Sequence, residues 1–97
     1  MTDASRVKLG QIVQIRNGRH AGSFAIIIEK KDGYVWVADG KKRTFHHPKK
    51  KNIKHIQPTN VVAKDVADAL DESGSVDDAA LRHALNQYQS NRLKESN

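Results

Sequence analysis

Between Leu9 and Gln57 the chain is a succession of short β-prone runs, each cut off by a glycine-containing turn. That punctuation limits the fold more than any other feature, because helices need uninterrupted stretches of about ten residues or more. Residues 11–16 form the first run, with Val13 and Ile15 on one face with Leu9 and Gln14 on the other. Arg16-Asn17-Gly18-Arg19-His20-Ala21-Gly22 has two glycines and no large apolar residue, and reads as a loop. Residues 24–29 are β-branched, with Phe24, Ile26 and Ile28 on one side and Ala25 and Ile27 on the other. Asp32-Gly33 supplies a hairpin turn, residues 34–38 a third strand, and Asp39-Gly40 repeats the turn chemistry. Residues 42–46 are expected as a fourth strand and residues 53–57 as a fifth, stopped by Pro58. Five short strands joined by tight turns predict a small closed or nearly closed barrel.

Beyond Asn60 the periodicity changes. Thr59-Asn60 offers caps for a helix from Val61 to about Asp71, where Val62, Val66, Ala69 and Leu70 recur at helical spacing until Ser73-Gly74 breaks it. Ser75-Val76-Asp77-Asp78 is expected to begin a second helix, with a serine cap and acids at the positive end of the dipole. Its apolar stripe is Ala80, Leu81, Ala84, Leu85 and Tyr88, and residues 91–97 are expected to fray. The expected organisation is thus a flexible arm at 1–7, a barrel at 8–60 and an acidic helical extension at 61–97.

Charge follows the same division. Residues 1–60 hold 13 Lys/Arg against four Asp/Glu, while residues 61–97 hold four against seven, and the net charge is +6. The positive field therefore belongs to the barrel, and polyanions are the default partner of such a field, since bound Lys/Arg release counterions condensed on nucleic acid. The 97 residues suffice for one domain of modest core, and a hydrophobic fraction of 37% is high enough for it to fold. Without a cysteine there is no disulfide scaffold, thiolate metal site or Cys nucleophile, which fits a reducing cytosol. The first residues lack the apolar core of a signal peptide, and the longest apolar run, residues 24–28, is far too short to cross a bilayer. A soluble, cytoplasmic protein with no membrane partner is expected.

The stretch Gly10-Gln11-Ile12-Val13-Gln14-Ile15-Arg16-Asn17-Gly18-Arg19-His20-Ala21-Gly22-Ser23-Phe24-Ala25-Ile26-Ile27 resembles a KOW motif: a strand, a basic glycine-bearing loop, and a second strand. With Asp39-Gly40-Lys41, Pro48-Lys49-Lys50-Lys51 and Lys54-His55-Ile56-Gln57-Pro58-Thr59-Asn60, residues 8–60 are similar to bacterial KOW-domain RNA-binding proteins related to archaeal and eukaryotic large-subunit ribosomal proteins. The resemblance implies a mostly β fold, an SH3-like five-stranded barrel followed here by one or two C-terminal helices. It also implies RNA binding at the ribosome. In one departure, Ala21 stands where many ribosomal KOW loops carry lysine, so the loop's basic character falls on Arg16, Arg19 and His20.

The residues themselves point the same way. Gly18 and Gly22 admit positive φ and let backbone N–H groups approach a ligand, beside Asn17 and the planar donor forks of Arg16 and Arg19. A second basic strip runs through Lys41, Lys42 and Arg43 to Lys49, Lys50, Lys51 and Lys54, held extended or turn-rich by Pro48 and suited to following phosphates without reading bases. Tyr34 and Trp36 face outward from Val35 and Val37, either beneath the helices or toward bases for stacking, and Phe24 and Phe45 read as core. His20, His46, His47 and His55 match no zinc pattern, so neither a metal nor another cofactor is expected. Ser23, His20 and Asp39 have no arrangement that places a base beside a nucleophile, and a barrel this small offers little volume for a small-molecule substrate.

The leading expectation is a non-enzymatic protein that contacts structured RNA, above all ribosomal RNA, by phosphate and shape, with ribosomal proteins as neighbours. The alternative is a protein-interaction module of a transcription or translation factor, using Tyr34, Trp36 and the Leu81/Leu85 stripe.

Overall fold

The structure, a computed structural model, describes residues 6–95. Five antiparallel strands, β1 (Gln11–Ile15), β2 (Phe24–Lys31), β3 (Tyr34–Ala38), β4 (Lys49–Asn52) and β5 (Ile56–Val62), form one sheet in the order β4-β3-β2-β1-β5. A one-turn 3₁₀ helix, Ile53–His55, joins the two edge strands, and α1 (Lys64–Ser73) and α2 (Asp78–Glu95) follow. This is the mostly β architecture with C-terminal helices that was expected, consistent with a small barrel left unclosed between β4 and β5. Among the described residues no helix is long and apolar enough to cross a membrane.

Both faces of the sheet are buried, which explains why β2 reads as a continuous apolar run. The inner face gathers Val13, Ile15, Ala25, Ile27, Val35 and Val37 over Ile53 and Ile56. The outer face presents Ile12, Ile26, Ile28 and Ala38 to Val66, Leu70, Val76, Leu81 and Leu85 of the helical extension. The alternation read from the sequence thus holds through β2 and β3. A register shift between Ile27 and Glu29, which pair with Val37 and Trp36, leaves Ile28 as the extra residue of a bulge. Of the arm expected at 1–7, residues 1–5 lie outside the described residues, and Val7 is buried in the inner cluster.

Asp32 (φ 53°) and Gly33 (φ 83°) form the two-residue turn predicted between β2 and β3, with Lys31 paired to Tyr34. The second Asp-Gly behaves differently. The Asp39 carboxylate accepts from the Lys41 and Arg43 N–H groups, and the Asp39 and Gly40 N–H groups donate to the Arg43 carbonyl. Backbone groups that a strand over residues 42–46 would need are consumed locally, so this segment is a turn-rich loop and the fourth strand is Lys49–Asn52. Pro58 does not end the fifth strand but lies inside it, paired with Val13, as an edge strand allows.

The first helix begins at Lys64 rather than Val61, because β5 uses the intervening residues. Thr59 donates its hydroxyl to the Ile12 carbonyl at 2.7 Å, its carbonyl accepts from the Gln11 amide, and Val62 pairs with Gln11. Ala63 then caps α1 without a side-chain bond, and Gly74 ends the helix in the left-handed conformation (φ 75°). The cap of α2 is Asp77, whose carboxylate accepts from Ala79 N–H, in place of the expected serine. The helix continues through the region expected to fray, as far as Glu95.

Two glycines seat the helices on the sheet. Gly10 (φ 86°) lies so close to α1 that a Cβ there would come within 2.8 Å of the Ala67 Cβ. Gly40 (φ 80°) lies against the Asp78 carbonyl, with Arg82 Cγ 2.9 Å from the position of its missing Cβ.

Candidate nucleic-acid interface

The β3–β4 pairing brings the two basic segments together. Lys49 and Lys51 pair with Val37 and Val35, beside the loop at 16–22. That loop closes on itself through Gly22 N–H to Ile15 O (2.7 Å) and Ala21 N–H to Gly18 O (3.1 Å), with Gly18 at φ 94° and Gly22 at φ 95°. Lys51 Nζ crosses to donate to the Asn17 carbonyl at 3.1 Å. A Cβ on Gly18 would lie 3.4 Å from the same Nζ. What favours glycine there is the φ of 94°, since the Cβ would meet only the flexible end of Lys51.

Between the loop at 16–22, the loop at 39–48 and β4 opens a cleft of about 490 Å³. Arg19 and His20 line one side, and Lys41, Lys42, Arg43, Lys49 and Lys51 the other. Ile15, Ala25 and Val37 form its floor, with Phe24 at the margin. Asp39 is the one carboxylate among the lining residues, and its oxygens already face backbone N–H groups. Seven basic side chains against one committed carboxylate make the cleft an anion-attracting surface.

Not every singled-out residue joins it. Arg16 donates from Nη1 to Gln57 Oε1 at 3.2 Å and from its backbone N–H to His55 O, which ties it to the start of β5. Lys50 points to the opposite face of β4, its Nζ 4.4 Å from the Tyr34 ring centroid and 5.6 Å from that of Trp36. Lys54 is exposed on the 3₁₀ turn, where its N–H donates to Asn52 Oδ1. Gly22 lines a neighbouring groove that shares Ser23, Phe24, Asp39 and Lys41 with the cleft and continues along α2 to Arg92.

The aromatic residues divide. Trp36 packs with the outer cluster, whereas Tyr34 is 39% exposed. Phe24 and Phe45 are partly buried against the same cluster, and Phe24 makes an edge contact with Tyr88 at 5.2 Å. Leu81 and Leu85 are buried beneath α2, so the apolar stripe considered as a protein-docking surface is occupied by the sheet. The Ser23 hydroxyl donates to the His20 carbonyl rather than to its imidazole.

Sequence reasoning did not find the brace behind the cleft. Asp78 Oδ1 accepts the Phe45 N–H at 2.7 Å, and Arg82 Nη1 donates to the Gly40 carbonyl at 2.7 Å. The first turns of α2 thereby hold the loop that carries Lys41, Lys42 and Arg43. The acid-rich start of α2 was visible in the sequence, but only as a dipole effect.

No family model matches the chain. Over 42 residues it is 50% identical to the Bacillus subtilis protein named "Putative ribosome-binding protein YbzG". The matched stretch is 43% of this chain and 57% of that relative, so the chain spans less than two thirds of the relative's length.

Proposed function

We propose that this protein is a non-enzymatic RNA-binding protein of the ribosome, which engages structured ribosomal RNA by phosphate and shape through the cleft between the 16–22 loop and β4. The observation that carries this reading is convergence: Arg19 and His20 of one segment and Lys41, Lys42, Arg43, Lys49 and Lys51 of another, far apart in sequence, line a single cleft. Solvated charges repel and need not gather, whereas a surface that follows a phosphate backbone needs several cations within reach of one strand. The name of the Bacillus subtilis relative supports the ribosome as the setting, and with it a cytoplasmic location. The KOW resemblance of residues 8–60 supports the same assignment. No cofactor and no small-molecule substrate enter this reading.

The test is the salt dependence of binding to a ribosomal RNA fragment. Six Lys/Arg side chains line the cleft. If each neutralises a phosphate, affinity falls by about a thousandfold between 50 and 200 mM salt. An affinity that barely responds to salt, or failure to co-sediment with ribosomes at low salt, refutes the proposal.

A further inference from the structure

A track for phosphates needs cations alone, yet this cleft has an apolar bottom. Ile15, Ala25 and Val37 belong to the inner core and also floor the cleft, with the partly buried Phe24 at its edge. The cations stand around that floor. The chemistry has two zones, and a nucleotide has the same two: a flat, largely apolar base and an anionic phosphate. A base within a regular helix stays stacked on its neighbours and cannot reach such a floor, so the floor suits only a nucleotide displaced from the stack.

We propose, on the basis of the RNA-binding reading above, that the cleft receives a single unpaired nucleotide extruded from folded RNA, a bulge or loop residue. Its base packs against Phe24, the least buried of the apolar lining residues, and the accessible edges of Ile15, Ala25 and Val37, and its flanking phosphates meet Arg19, Lys49 and Lys51. The volume of about 490 Å³ lies within the range of roughly 300–1,000 Å³ typical of sites that enclose one small organic group. Gly18 contributes through its φ of 94°, which lets the loop take the turn that brings Arg19 and His20 to the cleft. Extrusion costs least where the nucleotide is already unpaired, so the cleft selects bulges and loops over continuous duplex.

The experiment compares two RNA duplexes of equal length, one perfect and one with a single bulged 4-thiouridine, binding the full chain. The bulged RNA is expected to bind about tenfold more tightly, within what stacking of one base on an aromatic ring such as Phe24 supplies, and with the same salt slope. Irradiation should crosslink the thiouridine to the peptide holding Ser23, Phe24 and Ala25. Ser23 is exposed at the cleft wall, and Ser23→Leu should fill the mouth and bring the two RNAs to equal affinity without changing the salt slope. Equal affinities for the wild-type protein, or crosslinks to the β4 lysines alone, overturn the slot and leave phosphate binding standing. Uridine monophosphate binding as tightly as the bulged duplex overturns the RNA assignment of the slot in favour of a free nucleotide. If neither duplex binds at low salt, both the slot and the reading beneath it fall.

Discussion

Replacing Asp78 by alanine should weaken RNA binding even though it makes the protein more positive. The Asp78 carboxylate accepts the Phe45 N–H at 2.7 Å in a partly buried site. Alanine strands that donor, and an orphaned, partly buried partner of a charged acceptor costs about 1–2 kcal/mol. Removal of an acid from the first turn of α2 adds about 0.3–1 kcal/mol, while the Asp77 cap remains in place. The total is near 2 kcal/mol, which in a chain of this size lowers Tm by roughly 10 °C. Asp78→Asn keeps an acceptor oxygen and should lose about half as much. The loop that carries Lys41, Lys42 and Arg43 then keeps its Asp39 turn, the Arg82 bond to Gly40 and the packing of Phe45, but loses its tie to the first residue of α2. Ordering those side chains on RNA costs more, at roughly 0.5–1.5 kcal/mol per rotamer-rich side chain, and affinity should fall several-fold. Asp71→Ala is the matched control, since Asp71 is exposed on α1 and its loss changes the net charge by the same amount. It should leave stability within about 0.5 kcal/mol and bind RNA slightly more tightly. Urea unfolding and RNA titration at one fixed salt concentration decide the matter. If Asp78→Ala binds as tightly as Asp71→Ala, the brace has no part in positioning the basic loop.

Strand alternation separates the lysines of β4. Lys49 and Lys51 line the cleft while Lys50 covers Tyr34 and Trp36 on the other face. The double variant Lys49→Glu/Lys51→Glu should reduce the salt slope of RNA binding by about 2, whereas Lys50→Glu should leave the slope unchanged; equal effects in a filter-binding series would discount the cleft. Lys50→Ala should instead cost about 0.5–1 kcal/mol of stability through its lost ring contacts, read as a shift of the urea midpoint. Gly40→Ala and Gly33→Ala carry similar φ strain, at +80° and +83°, but only the former meets α2. Both should lose about 1 kcal/mol to strain, with at least a further 1–2 kcal/mol for Gly40→Ala from overpacking; equal losses in chemical denaturation would mean that α2 does not bear on that glycine.

The parts of the fold that were legible rest on short-range geometry. Val35 and Val37 could be assigned inward and Tyr34 and Trp36 outward because a strand has a period of two and nothing else is needed. Asp32-Gly33 was legible because a two-residue hairpin demands positive φ at both positions. The same dipeptide at 39–40 misled, because Asp39 bonds locally to the Lys41 and Arg43 N–H groups instead of opening a strand, and because the Gly40 carbonyl is claimed from 42 residues away by Arg82. Thr59 misled for the same reason: its hydroxyl has a local use as a helix cap, but the Ile12 carbonyl, 47 residues distant, claims it. In the cleft, the cations were legible as charge and their convergence was not, since it depends on how β4 registers against β3. The floor was hidden for a different reason, because Ile15, Ala25 and Val37 carry an ordinary core pattern and nothing marks them as open to a ligand.

The placement of the acidic extension is compatible with a polyanion-binding role. No residue of α1 or α2 lines the cleft, and the carboxylate that does, Asp39, belongs to the barrel and is held by backbone N–H groups. The net charge of +6 therefore understates the field at the cleft, whose lining, among the described residues, holds none of the acids that follow residue 60. What α2 does contribute is mechanical: Asp78 and Arg82 hold the far side of the loop that supplies three of the cations. Such a connection acts in both directions. If the seat of α2 favours the binding-competent loop, then a ligand that orders the loop must stabilise the seat of α2 by the same free energy. The helices are thus part of the binding equilibrium without touching the ligand, and their acids tune it least where they are exposed and most where, as at Asp78, they bond to the loop backbone.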